Sequence, residues 1–190
     1  ASPEMHRDLE ELASVYRRPS RVEGYHFPYS ERRADIVMMG IIRLAQLNPS
    51  RAYQTMISFK SEMEFAEGRW RKMRLAVVRH SLFAERTPAP ADWVDTQIQG
   101  LNDDELTSIW LRNAIAEGRW RDILSGVSWL TKQNQSTDRW RYWVARSRDE
   151  LGLVGNDLVW ASLAQSRSFH GFLAADKVGS AYALNEVSSQ

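Results

Sequence analysis

The hexapeptide Ala-Glu-Gly-Arg-Trp-Arg occurs twice, at residues 66–71 and again at 116–121. A looser copy, Glu150-Leu151-Gly152, precedes the segment that holds Trp160. In each copy a glycine follows an amphipathic run and a new run begins behind it. Gly118 and Gly152 lie 34 residues apart, the length of one helix–turn–helix unit of a solenoid. The two exact copies lie 50 residues apart, a spacing that adds the break Thr87-Pro88-Ala89-Pro90 and one further helix to such a unit. A unit of this kind cannot bury its apolar face alone, so it stacks on its neighbours. No segment alternates apolar and polar residues with period two, so no strand is expected. The reading is an all-α fold: a superhelical stack of antiparallel helix pairs, an α-solenoid of tetratricopeptide-like kind, forming a single domain over residues 1–190.

The helix limits follow from local signals. Leu9, Leu12, Ala13 and Tyr16 share a helical stripe, and Arg17-Arg18-Pro19 ends it, because the residue before a proline avoids helical backbone. The aromatics Tyr25, Phe27 and Tyr29 are expected to fold back on the helices. Ser30 is a plausible N-cap for a helix to Leu47, and Asn48-Pro49 starts the next. That helix is expected to run to Glu67 and stop at Gly68. Others are expected from Arg69 to Glu85 and from Pro90 to Gln99, with a stop at Gly100. Asn102 with Glu105 three residues on reads as a capping box, with Leu101 stapling to Leu106. Gly118, Gly152 and Gly179 are further stops. A helix from Arg119 to about Lys132 is followed by a polar loop, Gln133 to Thr137. In the last third, Trp140, Trp143, Val144 and Leu151 form one stripe, and Phe169, Phe172 and Leu173 another. Trp143 and Phe172 are expected as core anchors, with Ala145, Ala174 and Ala175 allowing close helix approach.

Composition narrows the function classes. The chain has 190 residues, ordinary globular proportions, and a formal charge of +1, so no strong field steers it to nucleic acid. Eight tryptophans, each able to bury about 150–250 Å², supply many helix contacts. No cysteine is present, which excludes disulfides and thiolate metal sites. No apolar run approaches the roughly 20 residues of a membrane span. The start, Ala1-Ser2-Pro3-Glu4, does not read as a signal peptide.

Catalytic motifs are sparse. Glycosidic cleavage needs two carboxyl groups flanking one bond. The adjacent pairs Glu10-Glu11, Asp103-Asp104 and Asp149-Glu150 point in different directions on a helix and read as helix-end or surface groups. No two of His6, His26, His80 and His170 are spaced to share a metal on one helix face. No phosphate loop, dinucleotide fingerprint or nucleophile elbow occurs, so neither cofactor nor metal is expected. Two arginine-rich groups remain. Tryptophan beside arginine can stack on sugar rings or bases. Arg139, Arg141, Arg146, Arg69 and Arg71 are therefore the candidate contacts to a glycan or a partner. The competing reading is a solvated helix face with long side chains lying over core tryptophans.

The stretch from 137 to 185 carries a resemblance. An aromatic pair is followed by Ala145-Arg146 and Leu151-Gly152, and then by Phe169-His170-Gly171-Phe172-Leu173-Ala174-Ala175-Asp176 with Gly179 and Tyr182 beyond. It resembles the superhelical domain of soluble lytic murein transglycosylases. His170 stands where a tyrosine is expected, and Val178 where a leucine is usual. The resemblance implies a periplasmic helical domain that holds or orients peptidoglycan glycan strands beside a catalytic domain of the same parent chain. It implies a parent reaction of non-hydrolytic β-1,4 cleavage giving a 1,6-anhydro product. The family's catalytic Glu-Ser and Gly-Leu-Met-Gln motifs do not occur in these 190 residues. The alternative is a tetratricopeptide-like scaffold that binds a protein or peptide partner.

Overall fold

The computed structural model describes residues 3–24, 30–62 and 65–184. Among them there is no strand, and within each unit most consecutive helices pack on one another. The chain divides into two compact units, Ala1–Leu101 and Asn102–Gln190.

The first unit is built on α2. Helix α1 (Pro3–Arg17) leads through a 3-10 turn (Pro19–Gly24) to α2 (Glu31–Leu47), followed by α3 (Pro49–Glu62), α4 (Glu67–Phe83) and α5 (Ala91–Leu101). The Ser30 hydroxyl accepts from the Arg33 amide at 3.3 Å, and Asn48 Oδ1 accepts from the Arg51 amide at 3.0 Å, so both expected starts are observed. Helix α2 touches α1, the 3-10 turn, α3 and α4. It buries Ile36, Val37, Ile41 and Leu44, each contributing about 1.5–3 kcal/mol of transfer free energy. Gly40 is its contact point: a Cβ there would lie 2.7 Å from Val15 and 2.9 Å from Val22. The Pro-rich segment after α4 is pinned by the amide of Ala89 donating to Ser81 Oγ, 3.1 Å, and that of Ser50 donating to the Thr87 carbonyl, 3.0 Å. The aromatics of 25–29 lie outside the described residues.

The second unit holds α6 (Asp104–Ala116), α7 (Trp120–Ser128), the short α8 (Lys132–Gln135), α9 (Asp138–Glu150), α10 (Asp157–Ala164) and α11 (Phe169–Val178). Helices α6 and α7 meet at Gly126, where a Cβ would lie 2.5 Å from the Trp110 ring. Helices α9, α10 and α11 close around Tyr142, Ala145, Trp160, Leu163, Ala164, Ala174 and Ala175. The three expected alanines are buried there.

Several expected limits are corrected. Gly68 does not stop a helix: α3 ends at Glu62, and Gly68 lies in the first turn of α4. Gly100 lies inside α5, and the left-handed residue after that helix is Asn102, φ 48°. Asparagine tolerates this backbone because its short polar side chain bonds locally. Asn102 is therefore not the cap of α6. Asp103 is, accepting from the Leu106 amide at 3.0 Å. The helix after Arg119 ends at Ser128, and part of the expected polar loop is α8. The hydroxyl of Thr131 donates to Asp104 at 2.6 Å and its amide at 2.9 Å, fixing that turn to the start of α6. Phe172 is half-buried and Phe169 exposed, and Trp143 is half-buried but packs against the α9–α11 core; among the aromatics of α9 to α11 the buried ones are Trp140, Tyr142 and Trp160.

Gly118, Gly152 and Gly179 are left-handed, as expected. At the first, the amide of Gly118 donates to the Ile115 carbonyl at 3.2 Å and that of Arg119 to the Ala114 carbonyl at 2.9 Å. This pair of bonds is the Schellman motif, and glycine takes the left-handed position without a Cβ clash. The same pair recurs after Gly152, where Leu153 donates to the Arg148 carbonyl, and after Gly179, where Ser180 donates to that of Ala175.

Candidate functional site

Helix α9 is where the candidate residues concentrate. Arg139 and Arg146 are seven residues, about two turns, apart and share a face; Arg141 points elsewhere. The contacts follow that geometry. Arg139 lies over the Trp140 ring at 4.8 Å, and Arg146 lies over two rings, Trp143 at 5.4 Å and Trp120 of α7 at 5.7 Å. Partial burial, with the like charge of Arg112 nearby, pushes the Arg139 pKa down. Arg146 also approaches Glu150 at 3.7 Å, but its side chain stays 44% exposed. Trp120 and Trp143 are partly exposed, and Trp143 also packs against the α9–α11 core. The result is a cationic face over partly exposed tryptophan rings.

Arg141 is turned toward α10. It donates to Ser162 Oγ at 3.0 Å and pairs with Asp138 at 3.5 Å. Asp138 accepts from the hydroxyls of Ser166 and of Ser168, the latter at 2.8 Å. Ser168 in turn caps α11 by accepting from the Gly171 amide at 3.0 Å. The Ser166 bond, more than any other contact, holds the Asp138 carboxyl below its ordinary pKa; burial opposes it, and Ser168, Arg141 and His170 add to it. His170 sits against Tyr142 and Phe169, with ring centroids 5.4 and 5.3 Å away. Burial pushes its pKa down and Arg139 adds to this, while Asp138 opposes it. Serine, histidine and carboxylate thus come near one another, but the serines donate to Asp138 and none is activated by the imidazole. The arrangement fastens α9 to the α10–α11 turn.

Asp149 is likewise structural. It accepts from Asn156 Nδ2 at 2.8 Å and Trp160 Nε1 at 3.1 Å, and meets Lys177 at 3.2 Å. Burial raises its pKa, but these donors outweigh it and the net direction is down. Asn156, 5% exposed, also donates to the Ala145 carbonyl at 2.9 Å, tying the 151–156 loop to α9.

The two candidates of the first unit hold helices together. Arg69 pairs with Asp35 at 2.7 Å and Glu31 at 2.5 Å, linking α4 to α2. These two carboxylates hold its guanidinium well above the ordinary arginine range. Arg71 donates to the Leu101 carbonyl at 2.7 Å, satisfying the end of α5. Among the described residues no cluster of histidine and carboxylate groups could hold a metal, and no helix is long and apolar enough to cross a membrane. Nothing in the sequence alone places Trp120 under Arg146. The repeated Arg-Trp pair flags that tryptophan, but only α7–α9 packing brings it to Arg146.

The fold and this surface define a class: an all-α helical stack with a cationic aromatic face and no assembled catalytic centre among the described residues. No protein-family model matches the chain. A protein of Haemophilus influenzae named as a soluble lytic murein transglycosylase is 34% identical over 95 residues, which is 49% of this chain and 15% of that protein. The soluble lytic murein transglycosylase of Salmonella typhimurium is 30% identical over 102 residues, 52% of this chain and 15% of that protein. The lytic transglycosylase Slt of Pseudomonas aeruginosa superposes with a TM-score of 0.79 at 23% identity, over 99% of this chain and 31% of that one. The 70-kDa soluble lytic transglycosylase of Escherichia coli gives 0.71 at 19% identity, over 94% of this chain and 28% of that one. Over about half its length the chain is therefore similar to soluble lytic murein transglycosylases, whose helical fold it shares, and it spans 15% of the length of the curated relatives it matches.

Proposed function

We propose that residues 1–190 act as one α-superhelical domain that holds or orients peptidoglycan glycan strands in the periplasm, for a catalytic domain of the same parent protein. The observation that carries this reading is the Arg146 guanidinium over the partly exposed rings of Trp120 and Trp143. A sugar ring offers C–H groups to an aromatic face and hydroxyls to a guanidinium, so a glycan strand suits such a surface. A cation held over an exposed ring contributes about 0.5–1 kcal/mol, and several modest contacts along a polymer add through multivalency. Arg139 extends the face, with Arg141, Arg69 and Arg71 keeping the helices in place. The names of the relatives support the substrate: they are murein transglycosylases, and a 70-kDa soluble lytic transglycosylase of this fold has been solved as a complex with bulgecin A.

The test is co-sedimentation of the purified chain with murein sacculi. We expect binding that weakens in Arg146→Gln and Trp120→Ala and is unchanged in Arg71→Gln. Binding that ignores the α9 face would reject this reading.

A protein-binding scaffold is the second reading, favoured by Val154 and Leu158, which are 89% and 85% exposed. Retention of a protein partner lost in Leu158→Asp, with no sedimentation on sacculi, would support it instead.

A further inference from the structure

At the end of α1, Ser14, Arg17, Arg18 and Arg21 line a pocket of about 310 Å³. No carboxylate lines it. This sets it apart in a chain whose other arginines repeatedly meet acids: Arg32 with Asp8, Arg51 with Glu23, Arg69 with Asp35, Arg119 with Asp122. The acid in the same turn, Glu23, is taken by Arg51, whose Nε donates to it at 2.7 Å. The three guanidiniums spend few of their donors on the protein. Arg17 Nε donates to the Ala13 carbonyl at 3.1 Å, Arg21 donates to the Ser14 hydroxyl, and the Arg18 side chain has no acceptor among the described residues.

The backbone beneath the pocket is fixed. Pro19 ends α1 and starts the 3-10 turn, and the amide of Arg21 donates to the Arg18 carbonyl at 3.0 Å. Val15 and Val22 are buried against Gly40 of α2, which anchors the turn on both sides of the arginines. Core packing thus fixes the backbone that presents three exposed arginines to one pocket, and no lining acid relieves their repulsion. An anion supplies that relief, and the planar forks of arginine match the oxygens of a phosphate two at a time.

We propose that this pocket binds a phosphate group carried by a small anionic ligand. Three formal positive charges suit a doubly charged phosphate better than a single carboxylate. The pocket volume sits at the lower end of ligand sites, about 300 Å³, which fits a phosphate head with a modest substituent.

Isothermal titration of the full 190-residue chain with inorganic pyrophosphate tests this, with glutarate as the carboxylate probe. We expect saturable pyrophosphate binding that is weakened about tenfold or more by each of Arg18→Gln and Arg21→Gln, the loss of one charge-assisted pair. Arg21→Lys, which keeps the charge but not the fork, should fall between. Arg121→Gln removes the same net charge in the second unit and should leave binding unchanged. Circular dichroism spectra matching the parent would show that the variants fold. Absence of saturation, an equal effect of Arg121→Gln, or glutarate binding as tight as pyrophosphate overturns the proposal.

Discussion

Asp138 shows how one carboxylate can couple helix placement to pH. The two serine hydroxyls and Arg141 all favour its ionised form, so its folded pKa lies below the unfolded one. Its contribution is therefore fully present above the ordinary carboxylate value and is lost as pH falls through the depressed folded value, where the unfolded chain binds the extra proton. His170 acts in the same direction in a higher window. Its folded pKa is also lowered, so protonation below its ordinary value near 6.5 favours the unfolded chain. Asp138→Asn should destabilise by about 1 kcal/mol at neutral pH, a value reduced for partial exposure, because the hydroxyl donors lose a charged acceptor. The difference from the parent should shrink below about pH 4. Thermal melts of both proteins across pH 3–7 check this (roughly the range spanned by carboxylate and imidazole titration). A gap that stays constant with pH would show that Asp138 is not ionised in the fold.

At the scale of elements, the repeated hexapeptide takes two conformations. In residues 116–121 it ends α6, and Gly118 is left-handed at φ +66°. In residues 66–71 it begins α4, and the amides of Arg69 and Trp70 donate to the Ala66 carbonyl at 2.9 and 3.1 Å. Identical residues have identical propensity, so their surroundings decide. Helix α3 has already ended at Glu62, and Glu31 and Asp35 of α2 hold Arg69 in the first turn of α4. In the second copy, Leu111 and Ala114 are fully buried and extend α6 up to the glycine. Gly118→Ala should therefore destabilise by about 1–2 kcal/mol, the cost of a left-handed non-glycine residue. Gly68→Ala, with open space where its Cβ would stand, should be neutral or stabilise by up to about 1 kcal/mol. Chemical denaturation of both variants reads the contrast, and equal destabilisation would contradict it.

This is also the limit of what was legible beforehand. Helix content, the Ser30 and Asn48 starts, and the stops at Gly118, Gly152 and Gly179 were readable because each rests on a few neighbouring residues. Gly68 and Gly100 were misread because a glycine marks a stop only where the backbone actually turns left-handed. The core aromatics are only partly legible for a similar reason: Trp143 packs on the core but half-buried, and Phe172 is half-buried. Periodicity finds a stripe but not which member of Tyr142-Trp143 faces α10 and α11. Trp160→Ala should cost about 3–5 kcal/mol, since the ring is 5% exposed and its Nε1 bonds Asp149, whereas Trp143→Ala should cost less.

For the whole molecule, the decisive quantity is where its carboxylates are pushed. Cleaving a glycosidic bond requires an acid that still holds its proton near neutral pH, so its pKa must be raised by an enclosing apolar site. Asp104, Asp138 and Asp149 are all moved down, because donors such as Thr131, Ser166 and Asn156 outweigh the burial that opposes them. They serve helix ends and loops. Asp104 ties α6 to the turn before α8, Asp138 ties α9 to the α10–α11 turn, and Asp149 ties the 151–156 loop to α9. Such groups cannot protonate a leaving oxygen. The purified chain is therefore expected to bind sacculi without releasing 1,6-anhydro-muropeptides, and to release from them as salt rises if Arg139 and Arg146 carry the contact. Prolonged digestion of sacculi followed by chromatography of the soluble products checks this. Anhydro products that vanish when one glutamate is changed to glutamine would locate a catalytic acid within these 190 residues and overturn the proposal that the chain only positions glycan strands.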